Sequence, residues 1–433
     1  MPTRMKGSAA VLMALALIAF APKPARADAP VEHIAVHAGV VLDVVTGERL
    51  RDRWILIDGE RIVAIQSEAP TGRKLVDWSA YTVLPGLIDT HTHLIGDDES
   101  ANIAAPLMSS AGRDVLLGVR NAARTLHAGF TSVRDVGCFR AFTDVALRDA
   151  INAGIVPGPR MKVAGAYITV SGGGGEVTGM APDVVIPAEM RRGVANSADE
   201  VRQRVRELLA GGADFIKVIG TGAVLAAGTT PGASEFTEAE IHAAVDEAAK
   251  HGTYVAVHAH GADGVKAAIR AGARSVEHAS LMDDEGVALM KKYGTYLSAD
   301  IYNGDYIDEI GHRDGWPAEI LRKNDETTET QRVAFRKAAA AGVKITFGTD
   351  AGVYPHGLNA RQFRYMVKYG LTPLQAIQAA TIRAAELMRT ENEVGSITVG
   401  KFADLVAVAA DPLDHIETLE DVKAVIKGGV LVP

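Results

Sequence analysis

One rhythm restricts the fold of this 433-residue chain more than any other feature. A segment of helical pattern ends at a glycine, and a short β-rich run follows. Gly129 precedes Phe130-Thr131-Ser132-Val133, Gly212 precedes Phe215-Ile216-Lys217-Val218-Ile219, and Gly252 precedes Tyr254-Val255-Ala256-Val257. Gly272, Gly294 and Gly342 stand in the same way before Ser275-Val276-Glu277, Tyr296-Leu297-Ser298 and Lys344-Ile345-Thr346-Phe347. Glycine stops a helix because it adopts positive φ without steric penalty. Helix starts are marked too. Thr237 with Glu240 makes a capping-box pattern, and Thr372-Pro373 with Gln375 adds a proline at the first helical position.

The apolar run before His91 and the run Arg160–Ala164 bring the expected strands to eight. Strands alternating with helices call for a parallel sheet. Eight such units favour a closed α/β barrel, (β/α)8 of TIM type, over an open sheet. Residues 28–82 and 393–433 read instead as short strands with turns such as Asp58-Gly59-Glu60. They are expected to form one small β-sandwich domain from both termini, around a barrel spanning 83–392.

Arg4 and Lys6, an apolar run from Ala9 to Ala21 and the small-x-small site Ala25-Arg26-Ala27 form a secretory signal pattern over residues 1–27. The mature chain is expected to begin at Asp28 and to be exported, to the periplasm in a Gram-negative source, without a membrane anchor. The single cysteine, Cys138, excludes an intrachain disulfide. A net charge of −8 without a basic cluster argues against nucleic acid as a partner.

In such barrels chemistry sits at the C-terminal ends of the strands. Polar residues fall there on five of the eight: His91 and His93 on the first, Lys217 on the fourth, His258 and His260 on the fifth, His278 on the sixth and Asp350 after the eighth. Histidines two apart on a strand share a face, so two such pairs can each serve one metal ion. Singly, each residue has a plainer reading. A histidine can be core, Lys217 can pair with an interior acid, and Asp350 can cap a helix. Their arrival together at matching ends points to a metal site.

The pattern resembles the amidohydrolase superfamily in its two-metal subtype, over nearly the whole mature chain. The likeness includes the late run Gly395-Ser396-Ile397…Gly400-Lys401-Phe402-Ala403-Asp404-Leu405-Val406. It implies two divalent ions, with zinc the default by ligand type and manganese or cobalt as alternatives. His91 and His93 would hold one, His258 and His278 the other, with Lys217 bridging both as a carbamate formed from carbon dioxide. Asp350 would bind the first ion and move protons in hydrolysis of an amide. His260 is assigned to substrate or to support of the ligands, with the exchange of His258 and His260 as the alternative.

The segments around His258, His278 and Asp350 are most similar to exported dipeptidases, which resemble imidazolonepropionases, and to amidohydrolases that split ochratoxin A into ochratoxin alpha and phenylalanine. The implied substrate is therefore a dipeptide or small N-acyl amino acid. Arg134, Tyr167, Tyr302 and His260 are the candidates for its carboxylate, and Val224 and Leu225 for an apolar side chain. Many dipeptidases of the group carry a histidine where this chain has Gly172-Gly173-Gly174-Gly175. Apolar outer helix faces suit a homo-oligomer. The rival readings are a Xaa-Pro or Xaa-Lys dipeptidase without ochratoxin activity, a cyclic-amide hydrolase or one-metal deaminase, and a non-catalytic barrel.

Overall fold

The computed structural model describes residues 32–96 and 101–433. The expected signal peptide lies outside the described residues.

Eight parallel strands form the barrel. In order they are Leu87–Thr92, Phe130–Asp135, Arg160–Val163 with its continuation Tyr167–Ile168, Ile216–Ile219, Val255–Gly261, Ser275–Leu281, Tyr296–Ala299 and Ile345–Phe347. The third strand is broken. Arg160–Val163 pairs with the second strand and Tyr167–Ile168 with the fourth. Gly165, at φ 77°, makes the step between them. The seam between eighth and first strands closes through a parallel bridge of Thr92 with Ala351 and a 2.7 Å bond from the His93 N–H to Ala351 O.

Helices cover the outside, with alanine- and valine-rich faces packed on the strands. Both capping boxes form, at Thr237 and at Thr372. Gly294 and Gly342 end their helices in the left-handed conformation, φ 70° and 71°, as the sequence rhythm requires. Among the described residues no helix is long and apolar enough to cross a membrane.

A seven-stranded sheet built from both ends of the chain stands beside the barrel. His33–Leu42 lies between Arg49–Asp58 and Lys74–Pro85, and Leu405–Val408 pairs with the far edge of Lys74–Pro85. Its core is Ile34, Val36, Ile55, Ile57, Trp78, Leu405 and Ile426. The strand Lys74–Pro85 runs to the foot of the barrel, where only Gly86 separates it from Leu87. A Cβ at Gly86 would come within 2.0 Å of Thr131 Oγ1, so the tight passage requires glycine.

Candidate active site

The barrel closure itself assembles the first group. The Asp350 N–H donates to His91 O at 2.8 Å, which holds the segment after the eighth strand against the end of the first. Asp350 there adopts φ 55°, left-handed for a residue with a side chain. Its Oδ1 reaches the Nε2 atoms of His91 and His93 at 3.3 and 3.2 Å. Buried strain of this kind persists where the surroundings over-determine it, often at functional sites.

The second group comes from strands five and six. His258 and His260 share a face, with ring centroids 4.6 Å apart. His278 lies 4.5 Å from the first and 4.9 Å from the second. Strand alternation would turn His278 away from Glu277 and from the site. Positive φ at His278 (67°) and Ala279 (50°) breaks the alternation and brings its ring to 4.7 Å from that of His91.

Most of these rings have one nitrogen committed to a fixed acceptor. His91 Nδ1 donates to Glu277 Oε2 at 2.8 Å, His93 Nδ1 to Gly137 O at 2.8 Å and His278 Nδ1 to Asp300 Oδ1 at 2.9 Å. In their neutral forms these three present a bare Nε2. His258 is reversed: Nε2 donates to Gly222 O at 3.3 Å, leaving Nδ1 bare. His260 Nδ1 lies 2.8 Å from Ser280 Oγ. Such partners fix ligand tautomer and orientation in metal sites.

Electrostatics divide the histidines: burial would lower His93 and His278, but Asp350 beside the first and Asp300 beside the second outweigh it and raise both, whereas the other three are lowered. Burial holds His258 well below the usual imidazole range and His260 at about 3, so both are neutral at pH 7. Burial and Lys217 lower His91. Burial would raise Asp350, but hydrogen bonds with His91 and His93 outweigh it and hold the carboxylate well below its usual range. Lys217 sits at the centre, 1% exposed, its Nζ buried without a hydrogen-bond partner. Burial brings it down to about 8. An orphaned ammonium among bare imidazole nitrogens and a carboxylate is an unsatisfied arrangement as it stands. The surrounding imidazoles and carboxylate fit divalent ions. Among the described residues three groups of three have donor atoms within 4.8 Å of one another: His91, His93 and Asp350; His258, His260 and His278; and His278, Asp300 and Asp350, which links the other two.

Four residues not singled out from sequence complete the site. Glu277 is fully buried and joins His91 to Arg134, whose guanidinium donates at 2.7 Å. Burial alone would raise Glu277, but Arg134 and His91 hold it well below the carboxylate range. Asp300, held at about 2 because His278 outweighs its burial, is fixed by Gln331 Nε2 at 2.9 Å. Asn303 Nδ2 donates to Asp300 Oδ2 and Asp350 Oδ2, each at 3.2 Å. Of these, Glu277 carried a signal in its place beside His278 in Ser275-Val276-Glu277-His278, and Asp300 and Asn303 in the run Ser298-Ala299-Asp300-Ile301-Tyr302-Asn303-Gly304, which resembles the ochratoxin-splitting amidohydrolases, whereas Gln331 carried none.

The groups lie at the floor of a cavity of about 570 Å³, a volume suited to a small-molecule ligand. Tyr167, His260, Val224 and Leu225 line it. Arg134 and Tyr302 do not. Arg134 is 0% exposed inside the barrel, bonded to Thr90 O, Ser275 and Glu277, so it supports the floor and cannot meet a substrate. Tyr302 packs against Tyr354 and Tyr365 behind the wall and accepts from Arg361 at 2.9 Å.

Residues 82–432 match the model of the amidohydrolase family. The chain belongs to the amidohydrolase family. Among curated proteins it is 31% identical to an ochratoxinase of Aspergillus niger, over 92% of this chain and 86% of that one. It is 26% identical to an imidazolonepropionase of Micrococcus luteus, over 86% and 90%. Among solved structures it is similar to a Xaa-Pro dipeptidase with methionine bound in its active site. That likeness has a TM-score of 0.86 and 38% identity, and covers 92% of this chain and 99% of that one. This amidohydrolase is accordingly an enzyme that hydrolyses C–N bonds.

Proposed function

We propose that this amidohydrolase cleaves the amide of a small N-acyl amino acid or dipeptide, using two divalent ions and a carbamylated Lys217. The orphaned, buried Nζ of Lys217 carries the reading. A neutral lysine amine captures carbon dioxide and becomes an anionic ligand, and burial supplies the neutral form. His91, His93 and Asp350 would hold one ion and His258 and His278 the other, with the carbamate shared. Bound there, the ions would polarise the scissile carbonyl and bring the pKa of a water toward neutrality.

The chain's own groups do the rest. Asp350 accepts a proton from the attacking water and returns it to the nitrogen of the leaving amine as the C–N bond breaks. Asn303 holds the second oxygen of Asp350, so the carboxylate keeps one orientation through both transfers. Glu277, Asp300 and the Gly137 and Gly222 carbonyls keep four histidines aimed at the floor. His260 and Tyr167 face the substrate.

The likeness to an ochratoxinase and the apolar wall of Val224, Leu225, Ile307 and Val353 support phenylalanine amides, ochratoxin A among them. The likeness to a Xaa-Pro dipeptidase supports acyl-proline as the second reading. A panel of acyl-phenylalanine (including ochratoxin A), acyl-proline and acyl-lysine amides, assayed with metal-replete enzyme, tests both. Hydrolysis of none overturns the function. One tightly bound metal per chain, with Lys217→Ala still active, overturns the two-metal site.

A further inference from the structure

The loop after the fourth barrel strand carries Val224 and Leu225 into the cavity wall. Rim loops are commonly the most mobile parts of a barrel, yet this one is tied from behind by charge. Lys323, on the helix Ala318–Ala341, is 1% exposed. Its Nζ donates to Ala226 O at 2.8 Å and pairs with Glu319 Oε1 at 2.6 Å, one helical turn earlier. The same Glu319 oxygen accepts the Gly228 N–H at 2.9 Å. Within the loop, Thr229 Oγ1 lies 3.1 Å from both Ala223 N and Ala223 O, which closes the turn. On the cavity side Val224 and Leu225 pack on Ile307, Trp316, Ile320 and Val353.

Lysine is rarely fully buried without a paired partner, and taking an ammonium out of water is costly. A methionine or leucine would fill the same slot on the helix without that penalty. Both partners of Lys323 lead to the loop, one directly and one through Glu319, and Lys323 takes no part in the chemistry on the cavity floor. The burial of its charge is therefore accounted for by the loop.

We propose that Lys323 and Glu319 form a latch that fixes residues 223–228, so that Val224 and Leu225 stand as a preformed wall for a bulky apolar amino-acid side chain. Lys323 is a positioning residue that sets specificity. The choice of side chain rests on the amide-hydrolase reading, whereas the latch itself does not. A small side chain such as that of glycine does not reach the wall and is indifferent to the latch.

Hydrogen exchange and kinetics on the intact enzyme test this. Lys323→Met keeps a linear side chain in the buried slot and leaves only the partly exposed Glu319 without its partner, while Glu319→Gln removes the counter-charge but keeps an amide oxygen that can accept from Lys323 Nζ and the Gly228 N–H. Amides of 223–228 are expected to exchange about tenfold faster or more in Lys323→Met, and less so in Glu319→Gln, with barrel-strand amides unchanged. KM for N-acyl-phenylalanine should rise about tenfold, while kcat, and both constants for N-acyl-glycine, stay within about twofold. Unchanged loop exchange in both variants overturns the latch whatever the kinetics show. Faster exchange with equal losses on both substrates overturns the specificity role. If the wild-type enzyme hydrolyses no member of the panel, the amide reading and the substrate assignment fall, and the exchange result alone decides the latch.

Discussion

Glu277→Gln separates the two duties of the buried carboxylate beneath the site. Glu277 accepts from Arg134 at 2.7 Å, Ser275 Oγ at 2.5 Å and His91 Nδ1 at 2.8 Å, and both it and Arg134 are 0% exposed. Glutamine conserves the shape but leaves the guanidinium without a counter-charge and turns an amide N–H₂ toward one of three donors. Breaking one partner of a buried pair is expected to destabilise by about 3–5 kcal/mol. Taking an unfolding entropy of about 2.1 cal/mol/K per residue over the described chain, that lowers Tm by about 4–6 °C. Loss of the His91 anchor should separately reduce metal affinity or activity by about 10–100-fold. The double variant Arg134→Met/Glu277→Gln removes the stranded charge. It should recover most of the lost Tm and none of the lost activity. Thermal melts, metal analysis after dialysis and kcat/KM on one substrate give the three readouts. A single variant with wild-type Tm, metal content and kcat/KM would refute the argument, as would a double variant that regains activity.

Four further outcomes follow from the same geometry. With Lys217 at about 8, its neutral fraction at pH 8 exceeds that at pH 6 by about 50-fold, so at one fixed concentration of dissolved carbon dioxide metal-free enzyme should reactivate with zinc correspondingly faster at pH 8; a flat profile under that condition contradicts the carbamate. Folding lowers this pKa, so the folded metal-free protein loses the proton first. Its stability should therefore rise with pH from about 8 toward the ordinary lysine value of about 10.4, as followed by melts with chelator present. His258→Asn should leave one metal per chain while His260→Asn keeps two and raises KM, and the reverse pattern would exchange their roles. The signal pattern predicts export with cleavage after Ala27, so Asp28 is the expected first residue of the secreted protein; N-terminal sequencing reads it, and an uncleaved N-terminus contradicts the prediction.

Much of this was legible in the order of residues, because the relevant physics is local. A glycine that ends a helix acts within one turn, and the strand-helix repeat follows from short-range pattern. Two histidines spaced by one residue share a strand face wherever the strand lies. That is why His91, His93, His258 and His260 could be placed on the rim before any contact was known. Arg134 misled for the opposite reason. Its place on the second strand is legible, but whether its guanidinium points up into the cavity or down into the barrel depends on Glu277, which lies far away in sequence. Tyr302 likewise turns behind the wall because Tyr354, Tyr365 and Arg361 surround it there.

The sequence by itself determined the kind of fold, the family and all the metal-capable residues but Asp300, since each rests on local periodicity or on residue type at a strand end. Tertiary structure alone decided which nitrogen of each histidine faces inward, that Lys217 is left without a partner, and that Lys323 ties a loop from behind. These are outcomes of burial and of contacts between distant segments. Charge, tautomer and orientation are settled there by what the neighbours take away from water, and no spacing along the chain encodes that.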